Sequence, residues 1–150
     1  MDETAITGYL AANFAGLQIN AAEGVTSFAY NPDGAPCEGV YFATLKSKDD
    51  ANDDVSELSR PSVFRLNLGV TEATYQRLFG PVPPCPGEDG LIETTHDFAV
   101  LDQLLPHPVY AYLTWVCVLN PSEATFETVK PLLAEAYALA QSRYARPAEG

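Results

Sequence analysis

"LLPHPVYAYLTWVCVLNPSEATF", from Leu104 to Phe126, contains one of the chain's two histidines, one of its three cysteines and its only tryptophan. Its segment "VYAYLTWVCVLN" (109–120) is β-branched, aromatic and apolar on both sides, the pattern of a central strand. The residues that follow, 121–145, have a helical stripe of Phe126, Val129, Leu133, Ala136, Tyr137, Ala140 and Tyr144. Ser122 is the expected cap, and Pro131 predicts a kink or a restart. The stretch therefore reads as a core strand entering a C-terminal helix. In a strand from Val109, Cys117 shares a face with Leu113, Trp115 and Leu119. Apolar company raises a thiol's pKa and makes it inert. His107 stands in "PHP", which favours extended backbone and sets it apart from Cys117.

Working upstream, "TTHDFAVLDQLLP" (94–106) reads as a helix capped at Thr95 and ended by Pro106, with Phe98, Leu101, Leu104 and Leu105 buried. Four prolines make "PVPPCPGEDG" (81–90) an irregular linker. "SVFRLNLGV" (62–70) is the clearest strand. Phe64, Leu66, Leu68 and Val70 share one face, Arg65 and Asn67 the other. Thr71 then caps a short helix closing on Gly80. Residues 46–61 are polar, acidic and aperiodic, hence a surface loop, and they lack the central Gly and terminal Glu of a calcium loop. Residues 24–30 and 39–47 alternate as two strands of a hairpin, and residues 3–15 form a helix through Ile6, Leu10 and Phe14. The order is α-β-β-β-α-α-β-α. Too few crossover helices exist for a parallel sheet. The expected fold is one α+β domain over 1–150, with a curved antiparallel sheet of about four or more strands and the terminal helices mainly on one face.

Twenty acidic residues against eight basic ones give a net charge of −12. Binding to nucleic acid or to an anionic membrane needs clustered Lys and Arg, which are missing, so neither is an expected partner. Three scattered cysteines without CxxC argue against a disulfide framework and a zinc knuckle. Cys37 and Cys85, in Pro/Gly loops, either pair or stay free. Reduced thiols and an acidic N-terminus without a signal pattern make a cytoplasmic setting the expectation, with a monomer or a homodimer expected as the assembly.

Two constellations carry chemistry. If Tyr110, Tyr112 and Thr114, on the second face of strand 109–120, meet Arg65 and Asn67, they make an aromatic and polar surface with one cation, suited to a small-molecule ligand. The alternative is a covered face with Arg65 paired to an acid. The second constellation is His96 and His107 with Asp97 or Asp102, which would make a general acid-base set if they converge. The two histidines stand eleven positions apart, a spacing that matches no metal signature, so no metal and no cofactor is expected.

"SVFRLNLGV", "HDFAVLDQLLPHPVY", "WVCVLNPS" and "PLLAEAYALAQSRYA" resemble a family of small bacterial proteins, common in actinomycetes, known as a domain of unknown function. More distantly, Trp115, the "NPS" turn and "EAY" (135–137) resemble the MmcQ/YjbR-like domains. That likeness implies a frataxin-like sheet with terminal helices on one side. DNA binding, suggested for some of those relatives, conflicts with the charge here. The expected role is a small binding or accessory protein with a ligand cleft on the sheet. Two alternatives are a small enzyme using a histidine general base on an organic metabolite, and a protein-interaction module.

Overall fold

A computed structural model describes residues 1–34, 39–50, 53–86 and 97–145. Helix α1 (Glu3–Asn13) starts on Asp2, whose Oδ1 accepts the Ala5 N–H at 2.8 Å, and buries Ile6 and Leu10. Two hairpin strands follow, β1 (Leu17–Ala22) and β2 (Val25–Tyr30), then β3 (Val40–Lys46) and β4 (Arg65–Gly69). Helix α2 (Glu72–Phe79) is capped by Thr71 as expected. Strand β5 (Leu104–Pro106), a 3-10 turn (Ala111–Leu113), β6 (Trp115–Leu119) and helix α3 (Glu123–Ala145) complete the described elements.

The six strands form a curved, open, antiparallel sheet in the order β1-β2-β3-β4-β6-β5, so the fold is α+β. Strand alternation divides its residues. Leu66 and Leu68 of β4, with Val116 and Val118 of β6 beside them, are fully buried on the side of α3, which contributes Phe126, Val129, Leu133 and Ala136. A register shift between Phe28 and Ala29 leaves Phe42 as the extra residue on β3. Its ring packs against Phe14, at the end of α1, and Tyr137 of α3. The Tyr137 hydroxyl donates to the Ala15 carbonyl, and the Glu135 carboxylate accepts the Thr71 N–H and the Thr74 hydroxyl, tying α2 to α3. Ser122 Oγ accepts the Thr125 N–H, the cap read from sequence, and α3 runs through Pro131 without ending.

Three readings from sequence are corrected. Strand β1 was not foreseen. It is an edge strand whose last four residues are exposed, so the alternation of Leu17, Ile19 and Ala21 with Gln18 and Asn20 is short and has no buried side behind it, and its two-residue turn is Glu23-Gly24, both at positive φ. The helix expected over 94–106 does not form in its described part: residues 97–103 are turns, bends and irregular chain, and 104–106 are β5. Asp102 sits at φ 59°, accepts the Ser122 N–H at 2.7 Å and donates its own N–H to the Leu119 carbonyl. It anchors the start of α3 through the bond that holds its carboxyl below the ordinary carboxylate value. The strand over 109–120 begins only at Trp115. Tyr110, Tyr112 and Thr114 therefore lie in a turn and not along a strand face.

Candidate functional site

The sheet face opposite α3 holds the polar residues. Pairing places Thr44 beside Asn67, Lys46 beside Arg65, Cys117 on the far side of Asn67, and Trp115 beside Gly69. Arg65 is 1% exposed. A charge this deep is tolerable only when paired and hydrogen-bonded. Nη1 donates to Asp53 Oδ1 and to Ser56 Oγ, both at 2.9 Å, Nη2 donates to Asp53 Oδ2, and Nε donates to Asn67 Oδ1 at 2.8 Å. Burial opposes the guanidinium's charge, but Asp53 more than offsets it and the pKa is raised. Asn67, oriented by that bond, passes its Nδ2 hydrogen to Thr44 Oγ1 at 3.0 Å. A directed chain thus runs from Asp53 through Arg65 and Asn67 to Thr44. The covered, paired Arg65, left open above as an alternative, is what the fold contains.

Beside this chain the polypeptide leaves β5 at His107, which is 4% exposed. Its N–H donates to the Trp115 carbonyl, extending the β5–β6 ladder by one residue. Its Nδ1 accepts the backbone N–H groups of Val109 and Tyr110 at 3.1 and 3.0 Å. Those two bonds fix the tautomer: Nδ1 is bare and Nε2 carries the proton. Among the described residues Nε2 makes no hydrogen bond. Burial, with Arg65 and Lys46 near, holds the imidazole well below its ordinary 6.5, so it is neutral. With its lone pair taken, it donates and does not accept.

The same loop then folds into the 3-10 turn. Thr114, in the left-handed region at φ 64°, donates its hydroxyl to the Val70 carbonyl at 2.6 Å and so closes the turn against β4. The result is a hollow of about 540 Å³ bounded by Lys46, Asp53, Arg65, Asn67, His107 and Tyr110. It meets a smaller, almost wholly apolar hollow of about 280 Å³, formed by Thr44, His107, Tyr110, Leu113 and Trp115. Trp115 lies flat against Gly69, where an added Cβ would stand 3.0 Å from the indole. Glycine there lets the ring settle onto the sheet. A larger surface depression of about 820 Å³ near Met1, Lys48 and Arg60 is more polar than apolar, and Arg60 in it is spent on the Ser56, Glu57 and Ala99 carbonyls.

A family model matches residues 1–149, and its family is described as one of unknown function, DUF6194. The chain belongs to DUF6194. No curated protein and no solved structure matches it.

Of the ligand candidates read from this DUF6194 sequence, Arg65, Asn67 and Tyr110 come together around the hollow, and His107 joins them. Tyr112 points elsewhere, toward Cys85, and Thr114 is occupied by Val70. Asp97 closes its own turn by accepting the Ala99 N–H at 3.0 Å. His96 lies outside the described residues, as do the expected cap Thr95 and Cys37. Thr44 and Asp53 went unread, and Thr44 was findable only through the β3–β4 register. Trp115, read from sequence as part of the apolar face that holds Cys117, is only partly buried. Among the described residues, no group of three or more His, Cys, Asp or Glu is placed to hold a metal ion, and no helix is long and apolar enough to cross a membrane.

Cys117 is fully buried with its Sγ 3.6 Å from the Pro106 carbonyl, and burial pushes the thiol up to about 12. Cys85 is free and exposed. Iodoacetamide at pH 8 should therefore alkylate Cys85 in the native protein and reach Cys117 only after urea unfolding, as read by peptide mass mapping. Native labelling of Cys117 at a rate like that of Cys85 would contradict this packing.

Proposed function

We propose that this protein binds a small organic molecule in the paired hollows on the open sheet face, and that it acts by binding and not by catalysis. The observation that carries the reading is His107. A nearly buried side chain spends its lone pair on backbone, leaves its Nε2–H without a partner among the described residues, and sits where a polar wall meets an aromatic one. Binding sites have that composition, mostly apolar with a few placed polar groups. A histidine general base draws less support, because proton abstraction would require Nδ1 to release two backbone N–H groups. The role of a protein-interaction module draws on the exposed Ile19, Tyr41, Leu101, Tyr110 and Leu113, of which only Tyr110 and Leu113 line one hollow together. The proposal includes a cytoplasmic setting, no nucleic-acid or membrane partner given the charge of −12, and a monomer or homodimer. A distant kinship to the MmcQ/YjbR-like domains also belongs to it, supported by an antiparallel sheet backed by terminal helices.

The test is an NMR screen of small aromatic fragments on 15N-labelled protein. Trp115, as the only tryptophan, gives a single indole signal. Hits should move that signal, and Tyr110→Ala, at a half-exposed position, should weaken the best of them about tenfold, or about 1.4 kcal/mol, with an unchanged melting temperature. Hits that scatter over the surface without touching Trp115 would remove the proposal.

A further inference from the structure

The direction of the hydrogen bonds around the smaller hollow specifies what it accepts. The chain begins at a carboxylate, Asp53, which accepts from Arg65; Arg65 donates in turn to Asn67 and Asn67 to Thr44, so the last member accepts through its hydroxyl oxygen and keeps the hydroxyl hydrogen to give. Arg65 Nε takes Asn67 Oδ1, which fixes that amide's orientation. Asn67 Nδ2 takes a lone pair of Thr44 Oγ1. Among the described residues the Thr44 O–H then has no acceptor. His107 reaches the same condition by a separate route, since two backbone N–H groups hold Nδ1 and leave the proton on Nε2. Thr44 and His107 both line the apolar hollow, across from Trp115, Tyr110 and Leu113.

Charge narrows the choice. The cations near the polar end are each matched, Arg65 to Asp53 and Lys46 to Asp50 at 2.7 Å, and His107 is neutral. None of these carboxylates lines the apolar hollow. The walls offer two donors, an aromatic surface and no uncompensated charge. An ammonium group would give up its hydration and find no carboxylate among the lining residues, and a carboxylate would lose its hydration without gaining a free cation.

Resting on the binding role proposed above, we infer that the hollow selects an uncharged, planar, largely apolar molecule carrying one hydrogen-bond-accepting oxygen, a ketone or an amide carbonyl. That oxygen takes the Thr44 O–H and the His107 Nε2–H. The ring lies against Trp115.

Acetophenone, toluene and benzylammonium separate the possibilities, since they share a ring and differ in its substituent. Each is titrated into 15N-labelled full-length protein while the Trp115 indole and His107 ring signals are followed. Acetophenone should bind at least tenfold more tightly than either of the others and should move the His107 Nε2 signal. Thr44→Val should lower its affinity about tenfold, to the level of toluene, and Thr44→Ser should restore it. Toluene or benzylammonium binding as well as acetophenone would overturn the assigned polarity while leaving the binding role standing. If none of the three moves the Trp115 signal, the binding role itself fails, and this inference with it. Should Thr44→Val not fold, the ranking of the three probes on the native chain still decides.

Discussion

Asp53→Ala should destabilise the protein by about 3–5 kcal/mol, because it leaves the Arg65 guanidinium buried without its counter-charge. Asp53 supplies both carboxylate oxygens to that side chain, and no described group replaces it: Ser56 and Asn67 are neutral and already engaged. A loss of that size is a large part of the total stability of a domain, about 5–15 kcal/mol. Equilibrium urea unfolding followed by far-UV circular dichroism measures it, with the midpoint falling and the slope held. The double variant Asp53→Leu with Arg65→Met should recover most of the loss, since an apolar pair of similar volume avoids the desolvation of both charges. A single-variant loss below about 1 kcal/mol would show that Arg65 finds water or another acid.

The second large effect concerns acid. His107 is held well below 6.5 in the folded chain, while the unfolded chain titrates at the ordinary value. Between 6.5 and the lower folded value, the unfolded state binds a proton that the folded state refuses. The histidine's contribution is therefore complete above 6.5 and is lost as pH falls, by about 1.4 kcal/mol per pH unit. His107→Asn isolates this contribution. An asparagine Oδ1 can accept the Val109 and Tyr110 N–H groups in place of Nδ1, and it does not titrate. Stability measured from pH 7 to 5 should fall less steeply in the variant than in the parent. Parallel slopes would mean that His107 takes up its proton inside the fold, against the neutral imidazole described here.

Legibility in the sequence followed exposure. Strand β4 was readable because apolar and polar residues alternate along it, and helices α2 and α3 because each has a capping residue, Thr71 and Ser122. Strand β1 was missed because its alternation of Leu17, Ile19 and Ala21 with Gln18 and Asn20 is short and lies on an exposed edge. Residues 94–106 misled through Leu101, Leu104 and Leu105, whose spacing fits a helix turn. Leu101 is exposed, and Asp102 at positive φ turns the chain into β5. The β propensity of Val109–Thr114 misled in the same way, since the His107 Nδ1 bonds and the left-handed Thr114 impose a turn that propensity does not contain. At the site, Arg65 and Asn67 could be paired from alternation alone. Asp53 and Thr44 could not, because which strands lie side by side, and at what register, is a property of the assembled sheet.

The walls of the hollows come from two parts of the chain that meet late. Thr44 and Asn67 belong to the meander of β2, β3 and β4, built from near neighbours. His107, Tyr110 and Trp115 belong to the β5–β6 hairpin, and β6 reaches β4 only after a long intervening segment. Closing that span costs entropy before any contact rewards it. The meander is expected to assemble first and the hairpin to dock onto its open edge. Asn67 pairs on one side with Thr44 and on the other with Cys117, so the docking that extends the sheet is also the event that creates the hollows. Until then the chain has a nearly complete sheet and no cavity, and any molecule that occupies the finished hollow holds the last-formed seam shut.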